Sequence, residues 1–198
     1  ITDPVCDCCG LPFEYALGDG ALCGECLRER PDYARARAAF RYDDHSRKLI
    51  LNLKYHDHTY LASVYSPWLA QAGKALIAAS DVIVPVPLYY WRFVGRRYNQ
   101  SALLAAALSK KTRLPAIQDG LKRTRHTKQQ TGLTFAQRRK NVQGAFAVNP
   151  KRKAAIKGHR VLLVDDVMTT GATLEQCTKA LLKAGAQSVN ILTLARTV

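Results

Sequence analysis

One run constrains the fold more than any other: Val161-Leu-Leu-Val-Asp165-Asp166-Val-Met-Thr169-Thr170-Gly171-Ala172-Thr173. Four successive apolar residues make a short strand buried on both faces, expected over Arg160 to Val164. Two carboxylates follow at once, then a Thr-rich turn containing Gly171. From Thr173 to Ala184 the pattern is helical, and Gly185 stops it. A strand buried on both faces that turns directly into a helix belongs in a parallel sheet covered by helices.

The rest of the chain repeats this alternation. Val82-Ile-Val-Pro-Val-Pro87 reads as a buried strand, Gln100 to Lys111 as an Ala/Leu helix and Ser188 to Leu194 as a last strand, with a further strand around Ala116 to Leu121. Tyr33 to Phe40, rich in Ala and Arg, is expected to be helical. So is 58–79, with a break or restart at Pro67. The stretch 122–143 lacks a steady period and is expected to be a long mobile excursion. Ligands of such sheets bind beyond the carboxyl ends of the strands.

The acidic pair and the glycine turn offer complementary chemistry. Gly171 permits a tight turn, so the backbone N–H groups of Thr169, Thr170, Gly171, Ala172 and Thr173 can converge at a helix start, and three Thr hydroxyls add donors; this suits a phosphate dianion. Asp165 and Asp166 accept hydrogen bonds, as the vicinal hydroxyls of a ribose require. A phosphorylated sugar satisfies both halves. The structural alternative makes the Asp side chains caps of the turn and Thr173 a helix N-cap. A P-loop is excluded because no Gly-Lys-Ser/Thr is present, and a dinucleotide fold because Gly-x-Gly-x-x-Gly is absent.

Five of the six Cys lie between Cys6 and Cys26. Cys6-x2-Cys9 and Cys23-x2-Cys26 have the spacing of a four-thiolate zinc site, closed to catalysis because no coordination position is left open. Disulfides are the competing use of these thiols, and Cys8 duplicates a ligand, so Cys8 or Cys9 completes the set. Cys177, in a helical apolar context, is expected in the core. The five His residues show no metal spacing.

The 198 residues carry 30 Lys and Arg against 15 Asp and Glu, a net +15. The excess is concentrated: between Leu121 and Arg160 there are twelve basic residues and no acid. Such a surface favours polyanions, and it is either a solvated face or a nucleic-acid track. No apolar run approaches the roughly 18 residues of a membrane span, and the opening Ile-Thr-Asp-Pro is not a secretion signal. A soluble, cytoplasmic protein without membrane insertion is expected.

Val161 to Thr173 resembles the 5-phosphoribosyl-1-pyrophosphate (PRPP) motif of type I phosphoribosyltransferases. Further segments extend the likeness over nearly the whole chain. Val84-Pro-Val-Pro87 is followed by Arg92, Arg96 and Tyr98-Asn99-Gln100. Downstream come Arg125, Thr127, Gln130, Leu133, Arg138, Asn141 and Gly144-Ala-Phe146. Together these resemble the ComF family of competence-associated phosphoribosyltransferase-like proteins, whose Arg-Gly-Phe-Asn-Gln reads Arg96-Arg97-Tyr98-Asn99-Gln100 here.

The resemblance implies an α/β fold, a type I phosphoribosyltransferase-like parallel sheet flanked by helices over 32–198, with an N-terminal zinc ribbon over 1–31 holding structural Zn²⁺. It implies PRPP with Mg²⁺ as ligand: Asp165 and Asp166 on the ribose, 169–173 on the 5'-phosphate, Val167 and Met168 in the same PRPP-binding run, and Arg92, Arg96 and Arg97 near the pyrophosphate. Arg125, Lys128 and Arg138 fall where such enzymes carry a lid, and Lys54 in a Lys-aromatic motif approaches the phosphates. Two activities are compatible with it: phosphoribosyl transfer to an unidentified acceptor, or non-catalytic binding of single-stranded DNA or DNA-uptake machinery.

Overall fold

The computed structural model describes residues 1–54, 58–88, 98–125 and 134–198. Its centre is a four-stranded, all-parallel sheet in the order β1-β6-β5-β2, where β1 is Ala36–Arg41, β2 Val82–Pro85, β5 Arg160–Met168 and β6 Ser188–Arg196. Ile83 forms one more parallel bridge, to Ala116, on the outer edge of β2. Leu121–Arg123 (β3) and Phe146–Val148 (β4) form a separate antiparallel pair.

The central strand β5 explains why two layers of helix are needed. Val161, Leu162, Leu163 and Val164 are all fully buried and alternate between the two apolar clusters, Val161 and Leu163 in one and Leu162 and Val164 in the other. On the second face lie α2 (Asp44–Lys54), α3 (Leu61–Ala72) and α5 (Gln100–Thr112), which contribute Leu53, Leu69 and Leu104. On the first lies α8 (Ala172–Lys183), with Leu174, Cys177 and Leu181. The short helices α1 (Gly24–Arg28), α4 (Lys74–Ala78), α6 (Phe135–Val142) and α7 (Lys153–Ile156) fill the gaps.

Four local expectations need correction. Tyr33 to Phe40 is not a helix: Ala36–Arg41 is β1. Ala36, Ala38 and Ala39 are buried, Ala36 and Ala39 in opposite apolar clusters, and pairing with β6 overrides the helix propensity of Ala and Arg. The 58–79 helix does not break at Pro67. Pro67 lacks the N–H that Ser63 O needs, and Ser66 Oγ supplies the donor at 2.9 Å. The break falls instead at Gly73, where a Cβ would lie 2.6 Å from a Leu192 methyl.

The 122–143 stretch is not one excursion. It begins in β3 and ends in α6, opened by a Thr134/Gln137 capping box. Finally, β5 continues past Val164 to Met168, because β6 is equally long and pairs Asp165 with Thr193, Val167 with Ala195 and Met168 with Arg196. The carboxylates therefore sit in the strand, not after it. Among the described residues no helix is long and apolar enough to cross a membrane.

Candidate phosphoribosyl site and metal centre

The site lies where β2 and β5 end side by side. Val86 N–H donates to Val164 O at 2.9 Å, which locks the two strand ends together. Asn99, at the N-cap of α5, donates from Nδ2 to Val86 O at 3.0 Å and accepts the Ser101 N–H at 3.1 Å, so the helix head is tied to the same edge. Ser101 Oγ then donates to Asp165 Oδ1 at 2.7 Å, and the same oxygen accepts the Asp166 N–H at 2.9 Å. Both bonds hold the Asp165 carboxylate in place at the end of the sheet.

After β5 the chain turns through Thr169, Thr170 and Gly171. Gly171 occupies the N-cap of α8 with φ of 72°, a left-handed conformation, and brings no capping side chain of its own, while Thr170 Oγ1 accepts the Ala172 N–H at 3.5 Å. Thr173 is therefore inside the helix rather than its cap, contrary to the structural alternative. A hollow of about 40 Å³ opens here, lined by Asp165, Val167, Met168, Thr169, Gly171 and Thr173. Polar loop atoms and the positive end of the α8 dipole meet in it, the arrangement that attracts an anion.

The sequence-predicted residues divide into three groups. Asp165 and Val167–Thr173 come together around the turn, Thr170 facing the neighbouring cavity. Asp166, half-buried, follows Asp165 in β5. Arg125 donates to the carbonyls of Asn141 (3.2 Å) and Gln143 (2.8 Å), thereby closing the C-terminal end of α6. Lys54 ends α2 and Arg138 lies in α6. Arg92, Arg96, Arg97 and Lys128 lie outside the described residues. Sequence reasoning missed Ser101. A Ser following an Asn-capped helix start carries no distinctive signal.

Cys6, Cys9, Cys23 and Cys26 bring their four sulfurs within 4.8 Å of one another, and Cys9 and Cys23 Sγ are 3.6 Å apart. A tetrahedral thiolate site with bonds of about 2.3 Å has sulfur–sulfur edges of about 3.8 Å, so the set fits a metal such as zinc. Cys8 is not in the cluster, and its carbonyl accepts the Ala36 N–H at 2.7 Å. Burial pushes the Cys6 thiol up, but backbone N–H groups of Cys9, Cys23 and Cys8 outweigh it and bring it down to about 7. Burial pushes Cys9 up, and burial with the neighbouring thiols pushes Cys26 up further. Four thiolates this close need a cation to coexist.

The cysteine module is welded to the sheet. Its cysteines share an apolar cluster with Val161 and Leu174, Arg196 at the end of β6 donates to Cys9 O, and Arg35 and Arg37 reach Asp7 Oδ1 at 3.0 and 3.5 Å. Gly10 (φ 69°) makes the closest approach, since a Cβ there would lie 2.5 Å from Ala36 O.

Residues 99–197 match the phosphoribosyl transferase domain. A solved structure, the glutamine phosphoribosylpyrophosphate amidotransferase from B. subtilis, aligns at a TM-score of 0.45 and 23% identity over 66% of this chain and 25% of that one. Competence protein F of Haemophilus influenzae is 32% identical over 98% of this chain and 85% of its own length. DNA utilization protein YhgH of Escherichia coli K12 is also 32% identical, with the same coverage. Competence protein ComFC of Bacillus subtilis is 27% identical over 99% of this chain and 79% of its own. With this site, this fold and these relatives, the chain belongs to the ComF family of phosphoribosyltransferase-like competence proteins.

Proposed function

We propose that the protein binds PRPP with Mg²⁺ and transfers its phosphoribosyl group to an acceptor, releasing pyrophosphate. The observation that carries this reading is the junction of β5 and α8, where a fixed carboxylate and a glycine-opened helix start flank one polar hollow. In this reading the 5'-phosphate takes the N–H groups and hydroxyls of 169–173, and Asp165 and Asp166 take the ribose hydroxyls. The acceptor's nucleophilic atom forms a bond to ribose C1 as the C1–O bond breaks, and the electron pair leaves with pyrophosphate. Positive charge gathers on the ring in the transition state, which favours carboxylates beside it, while cations and Mg²⁺ suit the leaving group. In this reading Arg92, Arg96 and Arg97 are the cations for the leaving group, and Arg125, Lys128, Arg138 and Lys54 are further partners of the phosphates. Zn²⁺ on Cys6, Cys9, Cys23 and Cys26 is structural. Pyrophosphate release from PRPP, screened over nucleobases and single-stranded DNA, tests the proposal; release with none of them, under conditions where PRPP binds, rejects catalysis.

A second reading rests on the basic corner formed by β3, β4 and α7. Lys122, Lys151, Lys153 and Lys157 are all exposed there, whereas Arg152 is engaged with Asp119 at 2.7 Å and Arg123 stacks over Phe146. The relatives are named for competence and DNA utilization. This surface is proposed as a track for single-stranded DNA in a cytoplasmic protein serving the DNA-uptake machinery.

A further inference from the structure

Arg196, the last residue of β6, is only 7% exposed, and its guanidinium faces the cysteine cluster. Nη1 donates to Cys9 O, and Nε to Thr197 O at 3.3 Å. A buried guanidinium is costly unless a negative group answers it, and among the described residues Arg196 forms no ion pair with a carboxylate. The cysteines are the source of negative charge at hand: four thiolates on a divalent cation carry a net charge of about −2. Burial raises the Cys9 thiol, and the charge of Arg196 opposes it. Arg196 thus supports a metal ligand from outside the cluster.

The same residue reaches the turn after β5 through the backbone. Arg196 is the register partner of Met168, the Thr197 N–H donates to Met168 O at 3.0 Å, and Thr197 Oγ1 donates to Thr169 O at 3.4 Å. Met168 Cε lies 3.2 Å from where a Gly171 Cβ would be, so this side chain abuts the turn. Other ties from this end of the chain land elsewhere. Arg35 and Arg37 hold Asp7, the Ala36 N–H donates to Cys8 O, and the Asp32 N–H reaches Glu175 of α8 at 3.4 Å. Between module and turn the seam is open: a cavity of about 220 Å³ is lined by Cys9 and Cys26, by Met168, Thr169 and Gly171, and by the charged Glu25, Glu29, Arg30 and Glu175. The link across it therefore runs through Arg196 rather than through close packing.

We propose that Arg196 is a positioning residue that couples metal binding by the cysteine cluster to anion binding at the turn after β5. With Cys9 fixed as a ligand, its carbonyl fixes the guanidinium, and the end of β6 then sets where Thr197 holds the carbonyls of Met168 and Thr169. The reverse follows of necessity: a phosphate that fixes the turn makes the metal harder to lose, by the same factor. The anion half rests on the phosphate reading of the turn given above; the role of Arg196 beside the metal ligands does not.

The test uses the full, zinc-loaded chain with ribose 5-phosphate, a probe that needs no Mg²⁺ for a chelator to remove. Metal release to a chromogenic chelator should be about tenfold faster from Arg196→Gln than from the wild type, with Arg196→Lys, which keeps the charge, between them. Ribose 5-phosphate should slow release from the wild type about fivefold or more and should not slow it in Arg196→Gln. It should still do so in Arg35→Gln, which loses a tie to Asp7 instead. In the cobalt(II)-substituted wild type, adding ribose 5-phosphate should shift the sulfur-to-metal absorption, a change that a role in folding alone does not produce. Release from Arg196→Gln at the wild-type rate, or a ligand effect that survives in it, overturns the proposal. Calorimetric binding of ribose 5-phosphate to the wild type with unchanged release and unchanged absorption rejects the coupling alone; absence of that binding rejects the phosphate reading and the coupling with it.

Discussion

At the scale of single residues, the site depends on atoms that are absent as much as on those present. Gly171 holds a positive φ that a side chain resists, and a Cβ there would approach Met168 Cε to 3.2 Å. Gly171→Ala should cost about 1 kcal/mol of stability, measured by urea unfolding, and should weaken PRPP binding beyond that loss because the N–H groups no longer converge. Equal PRPP affinity in the variant would show that the turn is not the phosphate cradle. Ser101 works in the opposite way, by adding a donor: Ser101→Ala frees Asp165 Oδ1 from one of its two bonds and should cost about 1 kcal/mol, again read from urea unfolding.

At the scale of elements, β2 and β5 are clipped together at their amino ends as well as at the site. Asp81, just before β2, takes the Arg160 N–H at 2.8 Å, Nε at 3.1 Å and Nη2 at 2.6 Å. Hydrogen bonds from the Arg160 side chain hold the Asp81 carboxyl well below the usual carboxylate range. A depressed carboxyl stabilises the fold at every pH above its ordinary value and loses that contribution as the pH falls through the folded value. Asp81→Asn should therefore lower the melting temperature slightly at neutral pH and flatten its decline below the ordinary carboxylate range; an acid limb as steep as the wild type's would show that the clip contributes nothing.

The same elements show what a sequence discloses. The β5 to α8 unit was legible because four buried apolar residues, two acids and a glycine turn leave one arrangement, and the Thr134 to Gln137 cap was written in the sequence though its helix went unread. β1 was not legible, since Ala and Arg favour helix and only the neighbouring β6 makes them a strand. The end of β5 was set by the length of β6, not by its own residues. Ser101 gained its place through a contact between distant segments, 64 positions from Asp165.

For the whole molecule, the cysteine cluster and the sheet share one apolar core. Gly10→Ala should cost several kcal/mol, on the order of a buried clash, because the new methyl meets the Ala36 carbonyl, and should lower metal content measured by elemental analysis. Chelation should destabilise the domain along with the module, seen as one cooperative transition at lower temperature; two independent transitions would contradict the shared core. Acidification should release the metal, since protons compete for the thiolates as the pH falls. On the basic corner, Lys122→Gln, Lys151→Gln and Lys153→Gln together should reduce single-stranded DNA binding and its salt dependence, whereas neutralising Arg125, Lys128 and Arg138 should impair PRPP capture more than DNA affinity. An unchanged salt slope would make the corner a solvated face.

The most direct test of the account is calorimetric titration of PRPP with Mg²⁺ into the wild type and into the Asp165→Asn, Asp166→Asn double variant. Saturable binding by the wild type, and its loss or a weakening of at least tenfold in a double variant that retains its metal and its cooperative melting, is the predicted result. Undiminished binding in that variant would place ribose recognition elsewhere and contradict the assignment of the β5 to α8 junction.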